Sequence, residues 1–207
     1  MLEMKITNVT GWEDAIRGMR NPLNSWNSSD TKIKDNNIII GENDLSLMKK
    51  LINAGTDHRK FLRMINIYTD INAPLYWYKE MDTYKIGTVT NSCSTMHKIH
   101  ETSFSFENFS TERLLIEGLI EMKNIVTLLN ETREKFIETK DKHYWYQLIQ
   151  LLPSSYMQKR TMMFNYETAL NIYNSRKEHK LDEWKKFCKI LIEELPYFNE
   201  FIKSMKK

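Results

Sequence analysis

The sequence predicts an α+β protein, mostly helical with a small antiparallel sheet. Three observations predict it. Residues 64–71 alternate, with Ile65, Ile67 and Ile71 facing one way and Asn66, Tyr68 and Asp70 the other, the signature of a half-buried strand. From Ser110 to about residue 138, Leu115, Leu119, Met122, Val126, Leu129 and Phe136 recur at helical spacing. The remaining periodic segments are helical and follow one another without a regular strand–helix alternation.

Taken in order, residues 3–9 suit a short first strand. Trp12 to Met19 reads as a helix with Trp12, Ala15, Ile16 and Met19 on one side. Residues 21–35 carry loop chemistry, rich in Asn, Ser and Asp. Asn43 or Asp44 caps a helix to about Asn53, which Gly55 stops. After the alternating strand, Pro74 is expected at the first helical position of a helix that fades near Gly87. Residues 88–96 are small and polar and suit a loop. The stripe starting at Ser110 is widened by Leu114, Ile116, Ile120, Ile125 and Leu128, so burial on more than one side is expected. A helix over about 142–151 ends at Leu152-Pro153. Residues 157–166 fit either a strand or a helix start, and a helix follows to Arg176. Lys180 to Leu195 is another, with Trp184, Phe187, Cys188, Leu191 and Ile192 inward. Pro196 breaks it before a short tail helix.

The 207 residues suffice for one domain with a real core, taken as residues 1–207. Thirty basic and 27 acidic side chains leave a net charge of +3, which gives no electrostatic case for nucleic acid. Two cysteines frame no disulfide scaffold and favour a reducing compartment. The polar start Met1-Leu2-Glu3-Met4-Lys5 is unlike a signal peptide, and no apolar run approaches a membrane span, so a cytoplasmic location is expected.

Several constellations could carry chemistry. Cys93, His97 and His100 have ligand-like spacing, but no Cys pair or obvious fourth ligand follows, and a helix start with exposed histidines is the plainer reading. As a nucleophile, Cys93 needs a base such as His97 to lower its pKa. His58, Arg59, Lys60 and Arg63 form a basic cluster able to hold a phosphate, or simply a solvated turn. Tyr76-Trp77-Tyr78 and Tyr144-Trp145-Tyr146 could stack on a planar ring, though such triplets more often pack core on one side and rim on the other. No Gly-x-Gly-x-x-Gly or Walker loop is present.

Two stretches resemble the flavin-dependent thymidylate synthases. The first runs from Leu47 to Met96 and contains Asn-Ala-Gly-Thr-Asp-His-Arg-Lys-Phe at 53–61, the Ile-rich strand, then Asn72-Ala-Pro-Leu-Tyr-Trp. The second is Leu152-Pro-Ser-Ser-Tyr, then Asn165 through Arg176, where the family has Leu-Pro followed by Asn-x-Arg-Ser and a closing Arg. A weaker match places Arg20 on the family's early Ala-Arg-Val-Ser. The resemblance implies a homotetramer whose active sites lie between subunits and hold FAD beside a deoxyuridine nucleotide. Carried over by position, it implies His58, Asn165 and Asn171 as flavin contacts; Lys60, which the family does not supply, is a further candidate for holding the cofactor. The resemblance implies Arg176 as the arginine that reaches the pyrimidine and stabilises an enolate-like ring.

The family's Arg-His-Arg, seven residues, then Ser reads here as Thr83-Tyr84-Lys85, seven residues, then Cys93. Its Arg-Ser in the second stretch reads Glu167-Thr168, and its Gln on the preceding turn reads Glu80. Each lost charge-assisted phosphate bond removes roughly 1.5–3 kcal/mol. Lys79, Lys85, Ser92 and Ser94 are then the candidate substrate contacts, with Cys93 and Arg176 the candidate catalytic groups. The resulting expectation is a nucleotide-binding protein without the family's dUMP methylation. It would be a sensor or sequestering protein, with viral counter-defence from a phage or prophage as one guise. The alternatives are an active FAD-dependent enzyme on a pyrimidine deoxynucleotide, and an oligomer with no small-molecule role.

Overall fold

A computed structural model describes residues 1–34 and 37–205. In chain order the elements are β1 (Glu3–Thr10), α1 (Trp12–Arg20), β2 (Lys32–Lys34), β3 (Asn37–Ile39), α2 (Glu42–Asn53), β4 (Asn66–Pro74) and α3 (Leu75–Met81). Then come β5 (Thr88–Ser92), α4 (Ile116–Thr139), α5 (Lys142–Leu151), β6 (Met157–Asn165), α6 (Tyr166–Arg176), α7 (Asp182–Glu194) and α8 (Phe198–Ser204). A four-stranded sheet has the order β1-β4-β6-β5. β2 and β3 form a separate antiparallel ribbon with Ile33 opposite Ile38. Among the described residues, no helix is long and apolar enough to cross a membrane.

The chain divides into two compact units, and strands β1, β4, β5 and β6 contribute residues to each. The first comprises Met1–Glu3, Ile71–Thr83 and Asn91–Arg160. Its helical part packs Ile99, Phe104, Phe109, Met122, Leu129 and Leu148 into one apolar cluster, with α4 against α5. The second comprises Met4–Asp70, Tyr84–Thr90 and Thr161–Lys207. Its core contains an aromatic cluster among aliphatic side chains such as Met48, Ile52, Leu62 and Leu170. Tyr166 meets Trp12 edge-on at 5.1 Å and Phe198 at 5.9 Å, and its hydroxyl donates to the Pro196 carbonyl at 3.0 Å. Aromatic pairs of this geometry add about 0.5–1.5 kcal/mol each beyond their burial.

β1 turns into α1 at Gly11, whose φ of +90° suits glycine. Any Cβ there would lie 2.1 Å from the Met64 carbonyl oxygen, so the turn is closed to other residues on two counts. Strand β4 has the expected alternation, with Ile67, Thr69 and Ile71 fully buried, as is Ile65 just before it. Of the two readings of residues 157–166, the strand is the one realised, and α6 follows it directly.

Several expectations are corrected. Residues 21–35 are not all loop: short 3-10 turns occupy Asn21–Leu23 and Trp26–Ser28, and β2 begins at Lys32. A three-residue strand is too short to show alternation; Asp35 lies outside the described residues. Neither Asn43 nor Asp44 caps α2. Gly41 holds the N-cap position, and the Asp30 carboxylate accepts from the Asn43 and Asp44 amides at 2.9 and 3.1 Å. Pro74 ends β4 and is the N-cap of α3, which stops at Met81. Thr88–Ser92 is strand β5 at the sheet edge, almost wholly exposed, so it carries no inward apolar residues to betray it. Helix α4 starts at Ile116, not Ser110. It is covered on one narrow face only, at Met122, Leu129 and Thr132, while Leu115 (78% exposed), Ile116 and Ile120 (52%) face outward.

Candidate functional site

A charged constellation of the second unit surrounds the start of α6. Asn165 is the helix N-cap, its Oδ1 accepting from the Thr168 amide at 2.9 Å. The Thr168 hydroxyl donates to the Ile86 carbonyl at 3.0 Å, which ties the segment before Gly87 to the same helix turn. Gly87 has φ +67°, and a Cβ there would lie 2.2 Å from the Asn165 amide nitrogen.

In that first turn Glu167 lies buried between two arginines. Arg59 Nε donates to Oε1 at 3.0 Å, and Arg63 Nε donates to Oε2. Burial opposes ionisation of Glu167, but the hydrogen bonds from Arg63 and Arg59 outweigh it and hold the carboxyl below the usual range. The hydrogen bond to Glu167 in turn raises the pKa of Arg63. One turn further along, Asn171 Oδ1 accepts from Arg59 Nη2 at 3.3 Å. At the far end of α6, Arg176 Nε donates to the Tyr84 hydroxyl at 2.9 Å, and its guanidinium lies 5.0 Å from the Trp184 ring.

The sequence-derived candidates fall into two sets. Within the second unit, the structure brings Asn165 and Asn171 to the Glu167 cluster and puts Arg176 on the same helix. The basic cluster is not a free phosphate cradle, because Arg59 and Arg63 are already engaged by Glu167. His58, Lys60 and Lys85 are exposed. Within the first unit, Lys79, Ser92 and Cys93 are exposed, and the Ser94 hydroxyl accepts from the Met96 and His97 amides. The metal arrangement is not formed. His97 stacks on Trp145, His100 meets Phe136 edge-on, and among the described residues no group of three potential ligands exists. Trp77 is fully buried, so the first aromatic triplet offers no indole to a ligand ring.

Sequence reasoning missed Arg160. Its guanidinium lies 3.7 Å over the Tyr78 ring, with Nη1 on Asp82 at 2.7 Å and Nε on Gln158 Oε1 at 2.9 Å. The Gln158 amide donates to the Cys93 carbonyl at 2.7 Å, and the Cys93 amide donates to the Lys159 carbonyl at 2.9 Å. Burial raises the pKa of Tyr78. The available signal was an arginine inside an alternating stretch, which needs partners if that stretch is a strand. The other thiol, Cys188, is buried, and burial pushes it up to about 12.

No family model matches the chain, and no curated protein is significantly similar in sequence. Solved structures match across its whole length. A crystal structure of the flavin-dependent thymidylate synthase ThyX from Helicobacter pylori, complexed with FAD and dUMP, has a TM-score of 0.71 at 18% identity. That match covers 99% of this chain and 100% of the other. A second structure of the Helicobacter pylori enzyme with FAD and dUMP gives 0.72 at 18% identity, with full coverage of both chains. The fold is that of the flavin-dependent thymidylate synthases. On this thymidylate synthase fold, α6 carries Asn165, Glu167, Asn171 and Arg176 in one continuous run from cap to C-terminus.

Proposed function

We propose that the protein binds a nucleotide-type ligand on a thymidylate synthase fold and does not methylate dUMP. The observation that carries this reading is the Arg59–Glu167–Arg63 cluster. Two guanidiniums suited to an anionic cofactor are both engaged within the chain by one buried carboxylate, which holds their N–H donors and leaves a single net positive charge. Arg176, at the other end of the same helix, sets a fixed positive charge beside the Tyr84 and Trp184 rings. A ring-bearing anion suits the second environment better than a flavin pyrophosphate suits the first. Residues 1–207 then act as one cytoplasmic domain, assembled as a homotetramer with the pocket between copies. Lys79, Lys85, Ser92 and Ser94 assist in holding the ligand. A sensing or sequestering role follows, including a phage protein that withholds a nucleotide.

A second reading is favoured by Arg176 itself: an FAD-dependent enzyme that modifies a pyrimidine deoxynucleotide. FAD would be met by the exposed His58 and Lys60 and by the Asn165 and Asn171 carboxamides, and would supply hydride transfer. Arg176 would stabilise negative charge growing on the pyrimidine, with Cys93 as the second catalytic group.

A thermal-melting screen with FAD, dUMP and a nucleotide panel separates the two. Colourless protein stabilised by a nucleotide is expected, by about 2.7 kcal/mol at a hundredfold excess over Kd. The shift is expected to disappear in Arg176→Ala. Yellow protein that turns over dUMP selects the enzyme instead, and no shift with any nucleotide removes both readings.

A further inference from the structure

A cavity of about 440 Å³ lies along α1, and its residues all belong to the second unit. Four of them, Glu13, Ile16, Arg17 and Arg20, are spaced i, i+3, i+4 and i+7, one face of the helix. Trp26 (48% exposed), Ile33 (46%), Ser29 and Thr31 complete the lining. The volume lies within the roughly 300–1,000 Å³ of small-molecule sites.

The wall is built rather than incidental. Trp26 Nε1 donates to Asn21 Oδ1 at 2.9 Å, which fixes the indole. Arg20 is only 4% exposed. Its Nε donates to Asp44 Oδ1 at 2.7 Å and its Nη1 to the Ser25 carbonyl at 3.1 Å. Nη2 is left without a partner among the described residues. The other Asp44 oxygen accepts from the Ser29 and Thr31 hydroxyls and the Asp30 and Thr31 amides. Asp44 neutralises Arg20, and Asp14 pairs with Arg17, so a simple anion gains little from the local field. What Arg20 offers is a directional donor. Glu13, seven residues earlier and about 10.5 Å along the axis, offers an acceptor at the other end.

We propose that this cavity binds a planar aromatic molecule with a hydrogen-bond acceptor at one end and a donor at the other, of the aminoaryl acid class. The ring lies against Trp26 and Ile16, the carboxylate meets Arg20, and the amine meets Glu13. The site is independent of the nucleotide reading above and stands or falls separately.

Calorimetric titration with 6-aminonicotinate tests it, with nicotinate and 2-aminopyridine as probes lacking one pole each. Saturable binding of 6-aminonicotinate is expected, with each single-pole probe about tenfold weaker or more. Trp26→Ala should weaken all three. Glu13→Ala, which removes the acceptor, should abolish the preference for 6-aminonicotinate over nicotinate. Both residues are at the surface, and an unchanged melting temperature verifies folding. Absence of saturable heat at millimolar probe, or a preference that survives Glu13→Ala, overturns the proposal.

Discussion

Glu167 is ionised while buried because two guanidiniums face it. Removing one member of a buried ion pair costs about 3–5 kcal/mol, and half-exposed pairs much less. Arg59 is nearly buried but the Arg63 side chain is 47% exposed, so Glu167→Gln should lower unfolding free energy by about 1–3 kcal/mol. Denaturant titration measures this. The pH dependence has a definite sign. The folded pKa of Glu167 lies below the ordinary 4.5, and that of Asp44 below 3.8, so the unfolded chain binds these protons more tightly. Their contribution is present above the unfolded values and is lost as pH falls through the folded ones. Melting temperature should therefore drop below about pH 4.5, less steeply in Glu167→Gln than in the parent. Parallel acid limbs would show that Glu167 does not titrate as described. The sequence displayed Glu167 as a departure in charge, but not its partners, because Arg59 and Arg63 are more than a hundred positions away along the chain.

Elements differ in how much of themselves they display in sequence. Strand β4 was legible because it has one face in the core and one outside it, so Ile67 and Ile71, with Ile65 just before the strand, mark the inward positions and only Thr69 interrupts them. Edge strand β5 was not, because its side chains face solvent and select nothing apolar. The start of α2 misled because Asp30, more than ten residues upstream, does the work expected of a local cap. The start of α6 has its own cap. Asn165→Ala should cost about 1 kcal/mol, and Asn165→Ser should recover most of it. Gly11→Ala should cost more than about 1 kcal/mol, since it combines a positive φ with a backbone collision. Chemical denaturation of the three variants orders these effects, and a neutral Gly11→Ala would contradict the described turn.

At the scale of the whole molecule, the chain alone leaves the outward face of α4 uncovered. Its periodicity was legible, but a single sequence does not say which apolar residues face the chain's own core. Full burial of an Ile contributes about 1.5–3 kcal/mol, so covering Leu115, Ile116 and Ile120 suffices to matter in assembly. In the homotetramer proposed above, Ile116→Lys with Ile120→Lys should lower the sedimentation mass while far-ultraviolet circular dichroism stays unchanged. An unaltered mass would remove this face from the interface. The contrast between the two thiols has a practical side. Cys188 is buried with its proton held tightly, and Cys93 stands at the surface beside the end of β5. Maleimide at neutral pH should therefore attach once per native chain and twice after denaturation, as read by intact mass. The protein thus comes with its own attachment point for a fluorophore or spin label, and no cysteine has to be added or removed to report on the loop that follows β5.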